Sequence, residues 1–381
     1  MIPRLALRTW LGRFNHEDLL PHMTMTDHVY TGCFLATLNP TLCGRVLEAA
    51  AKEHDRLSHP CCKIRDAARN SERGSSPKYD WLRVIQNCAA TRVEHKSGRV
   101  RWNGRWLAHF QNIKPWCHDE LRLSFWTPAT VYSFVHSGDK FCSSAGQRTD
   151  AFGHSVLLTG PKGETYLDAA VQRIVLKANT IGQVTSYGLG DPIVRSAFAD
   201  LATFTHKVYS EQECPLHALS RAVRARLLES IARRFDMIRH PDCIVEDADC
   251  CAGVNGISLG ENQRPYDWKR VSLTGRRATR VECKTAQVAW DCTNHTWRAS
   301  WHGIKEGTHD ELQLTVYSPW ALRTFIHDGT TGFARCGVQT SVGGSRIVIH
   351  GPIGTPDIEN SVDAICQKAR MAFGAPIWEL R

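Results

Sequence analysis

The sequence contains no run of about eighteen apolar residues, so no membrane-spanning helix and no membrane partner is expected. It has no low-complexity tract, and with 42% hydrophobic and 22% charged residues this excludes global disorder. Its 15 cysteines form neither a Cys-x-x-Cys…Cys-x-x-Cys array nor a Cys/His finger, and Cys61-Cys62 and Cys250-Cys251 are adjacent. Such spacing argues against zinc modules and against a disulfide framework. The cysteines read instead as small buried hydrophobes of an intracellular, soluble protein in a reducing compartment, with nucleus or organelle both open. No acid precedes Glu17, and Arg4, Arg8 and Arg13 sit among apolar residues, so residues 1–26 read either as a basic arm or as an organellar presequence.

What the chain does have is positive charge, +9 with a pI of about 8.9, and length, 381 residues. The charge favours polyanionic partners, because neutralising phosphates releases counterions, but alone it does not select nucleic acid. The length exceeds one ordinary core and suggests two or three units.

Two is the number the sequence supports, because the halves repeat. Arg45-Val-Leu-Glu48 answers Arg226-Leu-Leu-Glu229, and His59-Pro60 answers His240-Pro241. Tyr79-Asp80-Trp81 answers Tyr266-Asp267-Trp268, and Thr91-Arg-Val-Glu94-His-Lys96 answers Thr279-Arg-Val-Glu282-Cys-Lys284. Ile113-Lys114 corresponds to Ile304-Lys305, and His118-Asp-Glu-Leu121 to His309-Asp-Glu-Leu312. Matching begins near Tyr30 and Tyr209 and fades after Asp168 and Asp363. A period of roughly 150 to 175 residues is a whole domain, not a solenoid unit. Domains are expected over 27–180 and 206–381, with 181–205 as linker plus an initial helix.

Each unit reads as a helix, a polar loop and a run of strands. The helix is carried by Leu227, Ile231, Phe235 and Ile238, with a looser copy at Leu42, Val46 and Ala49. Strands are expected at Tyr79–Leu82, Thr91–Lys96, Leu121–Phe125 and Ser155–Leu158 and at their partners; a Gly-Pro and a terminal helix follow the last. This order predicts an α/β fold with a mixed sheet flanked by helices.

Asp80 and Glu94 on consecutive strands, and Asp267 and Glu282 in the other half, supply the one or two carboxylates that Mg²⁺ or Mn²⁺ takes beside a phosphate. Strand alternation puts Glu94 and Lys96 on one face with His95 on the other, and likewise Glu282 and Lys284 with Cys283 turned away. A lysine there can orient and help deprotonate the attacking water and stabilise charge on the phosphate. Glu48 and Glu229 reach the same metal from the helix or lie on its surface. Lys114, Lys305, Arg92 and Arg280 are the expected nucleic-acid contacts. Trp102, Trp106, Trp116, Trp290, Trp297 and Trp301, among arginines, either stack on bases or fill the core. His118-Asp119-Glu120 and its copy read as polar residues capping a buried strand, and His136 and His327 as turn residues.

A helix Glu, then Tyr-Asp, then Arg-Val-Glu-x-Lys on a strand resembles the PD-(D/E)xK restriction-endonuclease-like superfamily, in both halves. The resemblance implies a core of helix, three mixed strands, helix and strand, and a Mg²⁺-dependent endonuclease acting on DNA in preference to RNA. Carried over, Asp80, Glu94 and Lys96 match, with Glu48 more loosely, as do Asp267, Glu282 and Lys284 with Glu229. Tyr79 and Tyr266 stand where the pattern has proline, although Pro77 and Pro265 are near, and the glutamine often found beyond Glu-x-Lys has Gln111 in one half but His302 in the other. A fused duplication would act as a pseudo-dimer with one site per DNA strand. The alternative is a nuclease-derived binding protein without turnover.

Overall fold

The computed structural model describes residues 23–67, 79–85, 89–114, 117–137, 154–248, 266–275, 278–305, 307–327 and 345–380. The arginine-rich N-terminus, Trp116, Cys250, Cys251, Pro77 and Pro265 lie outside them. The chain divides into two α/β units, Met23–Thr203 and Phe204–Arg381.

In the first unit α1 (Met25–Val29) starts on a capping box: Asp27 N–H donates to Thr24 Oγ1 at 3.2 Å and Thr24 N–H to the Asp27 carboxylate at 3.0 Å. After α2 (Phe34–Thr37) comes α3 (Pro40–Ser58), begun by Asn39, whose side chain accepts from Leu42 N, and by Pro40 in the first turn. Then follow β1 (Cys62–Asp66), β2 (Trp81–Ile85), β3 (Thr91–Arg99), β4 (Arg101–Trp102), β5 (Trp106–Ile113), β6 (Glu120–Trp126), β7 (Thr130–His136), β8 (His154–Thr159), α4 (Leu167–Asn179), β9 (Thr185–Gly188) and α5 (Pro192–Leu201). The main sheet runs β1-β2-β3-β6-β7-β9, antiparallel except for β3 and β6, and a small sheet runs β4-β5-β8.

The second unit repeats this order with α6 (Phe204–Glu211), a 3₁₀ turn at Pro215–Ala218, α7 (Arg221–Arg239), β10 (Cys243–Asp247), β11 (Trp268–Ser272), β12 (Ala278–Gln287), β13 (Ala289–Asp291), β14 (Thr296–Ile304), β15 (Glu311–Tyr317), β16 (Leu322–His327), β17 (Ser345–His350), α8 (Ile358–Phe373) and β18 (Trp378–Leu380). Its sheets are β10-β11-β12-β15-β16-β18 and β13-β14-β17, with β12 and β15 parallel.

Three expectations change. Residues 181–205, read as a linker plus an initial helix, do carry a helix, α5, whose Val194 and Ala197 join the core with α3, but also β9, which pairs with β7 and makes the segment part of the first unit. The match between units therefore extends to β9 and β18, whose short sequences share nothing. The resemblance implied a helix between the third and fourth core strands; here β4 and β5, or β13 and β14, make that crossover. In α7 the buried residues are Val223, Arg224, Leu227, Leu228, Ile231, Ala232 and Asp236, while Ile238 is exposed; in α3 Leu42 and Ala49 are only half-buried. The stripe rotates because each helix must end by burying an aspartate, Asp55 or Asp236.

Two devices recur. Where β3 parts from β6, the Tyr30 hydroxyl lies 2.9 and 2.8 Å from the carbonyls of Val100 and Trp126 and donates its proton there; Tyr209 does the same at Val288 and Tyr317. Thr26 and Thr205 accept from Trp102 N and Trp290 N beside them. The retained Gly-Pro has a packing cause, since a Cβ at Gly160 would sit 3.0 Å from Ala170 Cβ and one at Gly351 would sit 3.1 Å from Ser361 Cβ, where the terminal helix crosses.

Candidate metal and phosphate site

Asp80 lies immediately before β2. Its backbone N–H donates to Val93 O at 2.9 Å while its carboxylate accepts from His95 N at 2.7 Å, so one residue brackets the segment that carries Glu94. Asp267 repeats this with Val281 O and Cys283 N at 2.9 and 2.7 Å. The structure thus brings the aspartate and the Glu-x-Lys strand together in both units.

Along β3, Ser97 faces α3, with its hydroxyl near Gly44, and Gly98 faces β5, where a Cβ would meet His109 O at 3.0 Å. Glu94 and Lys96 share the face of Gly98 and form an ion pair, as do Glu282 and Lys284. The glutamates are 6% and 4% exposed, which keeps their charge out of water, while the lysine side chains remain about a quarter exposed and accessible from outside. His95 occupies the other face, buried against Trp81 and within 3.0 Å of Ser124 Oγ, and its replacement by Cys283 shows that this position packs.

The electrostatics follow from crowding like charges in a half-dry site. Burial and the neighbouring Asp80 push Glu94 up, against Lys96 and Lys114. Asp80 is raised by burial against the His95 N–H and Lys96. Glu48, half-buried on α3, is pushed up to about 7 by burial, Asp80 and Glu94. In the second unit burial and Asp267 push Glu282 up to about 7. Burial opposes the charge of Lys284, yet Glu282 and Asp267 outweigh it and hold its pKa above the usual lysine range. Glu229 is felt by Cys283, between the two motif residues.

Lys114 and Lys305 reach this site through a backbone device. A bulge interrupts the ladder between Phe110 and Ile113 and between Trp301 and Ile304, with Asn112 (φ 58°) and Gly303 (φ 69°) in the left-handed region. It returns Ile113 and Ile304 to the core and leaves the next lysine exposed, where it acts on Glu94 or Glu282. Arg92 and Arg280, expected on nucleic acid, are instead engaged within the protein. Arg92 gives its backbone N–H, Nε and Nη2 to Asp119 at 2.8, 3.1 and 2.7 Å, and Arg280 does the same with Asp310. These bonds hold Asp119 and Asp310 down to about 2.

Of the tryptophans, Trp106, Trp297 and Trp301 are fully buried and belong to the core, whereas Trp102 and Trp290 are half-buried against Trp106 and Trp297. Gln111 is exposed and bonds His109, and His302 bonds Ser300, so neither joins the site. His136 and His327 end β7 and β16 as expected. Among the described cysteines, all free, Cys33, Cys43, Cys214, Cys283 and Cys366 are buried and Cys61 and Cys292 exposed.

Sequence reading missed a buried charge network on the opposite face. Asp55 accepts from Trp81 Nε1, Arg83 Nε and Nη2, and Arg122 Nη2 at 2.7–3.1 Å, and Arg83 also reaches Glu120. The second unit repeats it with Asp236, Trp268, Arg270, Glu311 and Gln313. The tryptophan retained after each Tyr-Asp was its signal.

Among the described residues no group of three or more His, Cys, Asp or Glu side chains is placed to hold a metal ion. Two carboxylates beside a lysine fit a hard cation that keeps waters and takes the remainder of its ligands from a phosphate. No protein family, no curated protein and no solved structure matches this chain.

Proposed function

We propose that the chain is a Mg²⁺-dependent endonuclease acting on DNA, with one restriction-endonuclease-like site in each unit. The observation that carries this reading is the twofold occurrence of a half-buried Asp and a buried Glu with a partly exposed lysine beside the Glu on one strand face, and a second lysine placed after a bulge. Asp80 and Glu94 would hold the metal in the first unit and Asp267 and Glu282 in the second, with Glu48 and Glu229 on the neighbouring helices as secondary candidates outside that two-carboxylate set. A bound divalent cation supplies Lewis-acid charge and lowers the pKa of water. Lys96 and Lys284 orient the attacking water and face the charge that grows on the phosphate, while Lys114 and Lys305 draw the backbone in. Positive charge on a chain of +9 supports a polyanionic substrate.

The test is cleavage of supercoiled plasmid and of single-stranded DNA with Mg²⁺ by the wild type, Lys96→Ala, Lys284→Ala and the double variant. Nicking by each single variant and loss of all cutting in the double one is the expected result. Undiminished cutting by the double variant would end the proposal. Absent cutting with salt-sensitive binding would replace it with a nuclease-derived binding protein.

A further inference from the structure

The tetrapeptide His-Asp-Glu-Leu occurs at 118–121 and again at 309–312, and three of its four residues have evident structural employment. Asp119 fastens Arg92, Glu120 receives Arg83 at 3.0 Å, and Leu121 is buried in the core; Asp310, Glu311 and Leu312 do the same. The histidine has none of these employments. Among the described residues His118 Nδ1 in the first unit is buried with no hydrogen-bond partner, and in the second His309 Nδ1 has a 3.4 Å approach to Thr308 Oγ1.

Its place is defined by the strands around it. Asp119 N–H donates to Arg92 O at 2.9 Å and Glu120 stands opposite Val93 in the parallel ladder, so His118 sits at the start of β6 beside the segment leading to Glu94. The chain leaves β5 at Lys114, which acts on Glu94, and meets β6 just after His118, which Lys96 acts on. The two ends of this connection thus flank one site, and Lys305 and His309 flank the other in the same manner. The charged groups facing His118 are Lys96 and Arg92 of β3, Asp119 beside it and His136 of β7; those facing His309 are Lys284, Arg280, Asp310 and His327. Three other histidines were not kept between the copies, His95 corresponding to Cys283, His109 to Ser300 and His54 to Phe235, whereas His59/His240 and His136/His327 were kept at helix and strand ends.

We propose that His118 and His309 are phosphate-positioning residues, each donating a ring N–H to a nonbridging oxygen of the phosphodiester that Lys96 or Lys284 faces. This rests on the nuclease reading and adds a substrate contact to it. A ring N–H held beside two cations recognises an anion with a directed hydrogen bond, which the flexible ammonium groups do not provide.

The experiment compares the full chain with the double variants His118→Ala/His309→Ala and His118→Asn/His309→Asn, following Mg²⁺-dependent cleavage of a fluorescent duplex and thermal unfolding. Loss of one hydrogen bond to a charged oxygen predicts a fall in kcat/KM of roughly tenfold to a hundredfold for the alanine form. A rise in KM carries most of that fall, and asparagine, which keeps an N–H donor, recovers a good part. Alanine variants with wild-type kcat and KM would overturn the proposal, as would asparagine variants that fall equally far together with a matching loss of Tm. A wild-type chain that neither cuts nor binds the duplex would overturn it too, but through the nuclease reading, because no variant is then needed to see the failure.

Discussion

Adding a divalent cation and varying pH tests the proposed metal sites without any turnover. Burial and Asp267 raise Glu282 to about 7, whereas an unperturbed glutamate sits near about 4.3. The folded chain therefore binds this proton more tightly than the unfolded chain does. Its contribution to stability is complete below about pH 4 and is lost as pH rises through about 7. Holding Glu282 ionised above that range costs up to about 4 kcal/mol at roughly 1.4 kcal/mol per pKa unit. Glu48 adds a smaller effect of the same sign, because it is half-exposed and screened. A cation held by Glu282 and Asp267 competes with that proton, so its stabilisation must grow with pH over the same window. At a hundred times its dissociation constant the gain is about 2.7 kcal/mol, or about 5 to 10 °C in Tm for domains of this size. Thermal unfolding with Mg²⁺, Mn²⁺ or EDTA at about pH 5 and about pH 8 measures it. Glu282→Gln should raise Tm at the higher pH without metal and remove the second site's metal increment. An increment equal at both pH values, or one surviving in the variant Asp80→Asn/Glu94→Gln/Asp267→Asn/Glu282→Gln, would refute the reasoning.

Two further outcomes concern stability. Asp55→Ala or Asp236→Ala strands a buried arginine and a tryptophan N–H and should cost about 3 to 5 kcal/mol in urea unfolding at neutral pH. For Asp55 burial opposes the charge but Arg83, Arg122 and Trp81 outweigh it and depress the pKa, so the cost of Asp55→Ala should shrink as pH falls through the usual carboxylate range. Tyr30→Phe and Tyr209→Phe remove the hydroxyl proton shared by two carbonyls where the strands part and should each cost about 1 to 3 kcal/mol, read from Tm and from amide exchange around Val100 and Val288.

Duplication made much of this legible. Comparing the halves exposed Asp80, Glu94 and Lys96 beside their partners, and strand alternation alone put glutamate and lysine on one face. What stayed hidden depends on contacts distant in the chain. The buried role of Asp55 requires α3 to lie on β2, and an aspartate late in a helix carries no mark of burial. Arg92 looked available for phosphate until Asp119 stood opposite it across parallel strands. The strands β9 and β18 were unreadable because each pairs over only four or three residues, too short a stretch to show strand alternation.

The bulge before Lys114 and Lys305 also governs where this chain tolerates changes of length. Because it offsets the alternation by one residue, deleting Asn112 or Gly303 would turn the lysine inward and the isoleucine outward. The spacing from Trp106 to Lys114 equals that from Trp297 to Lys305, while the adjoining hairpin, Asn103-Gly104 in one copy, has lengthened to Asp291-Cys-Thr-Asn294 in the other. Insertions and affinity tags therefore belong in that hairpin, and a comparison of diverged relatives that opens a gap between the tryptophan and the lysine has been misaligned.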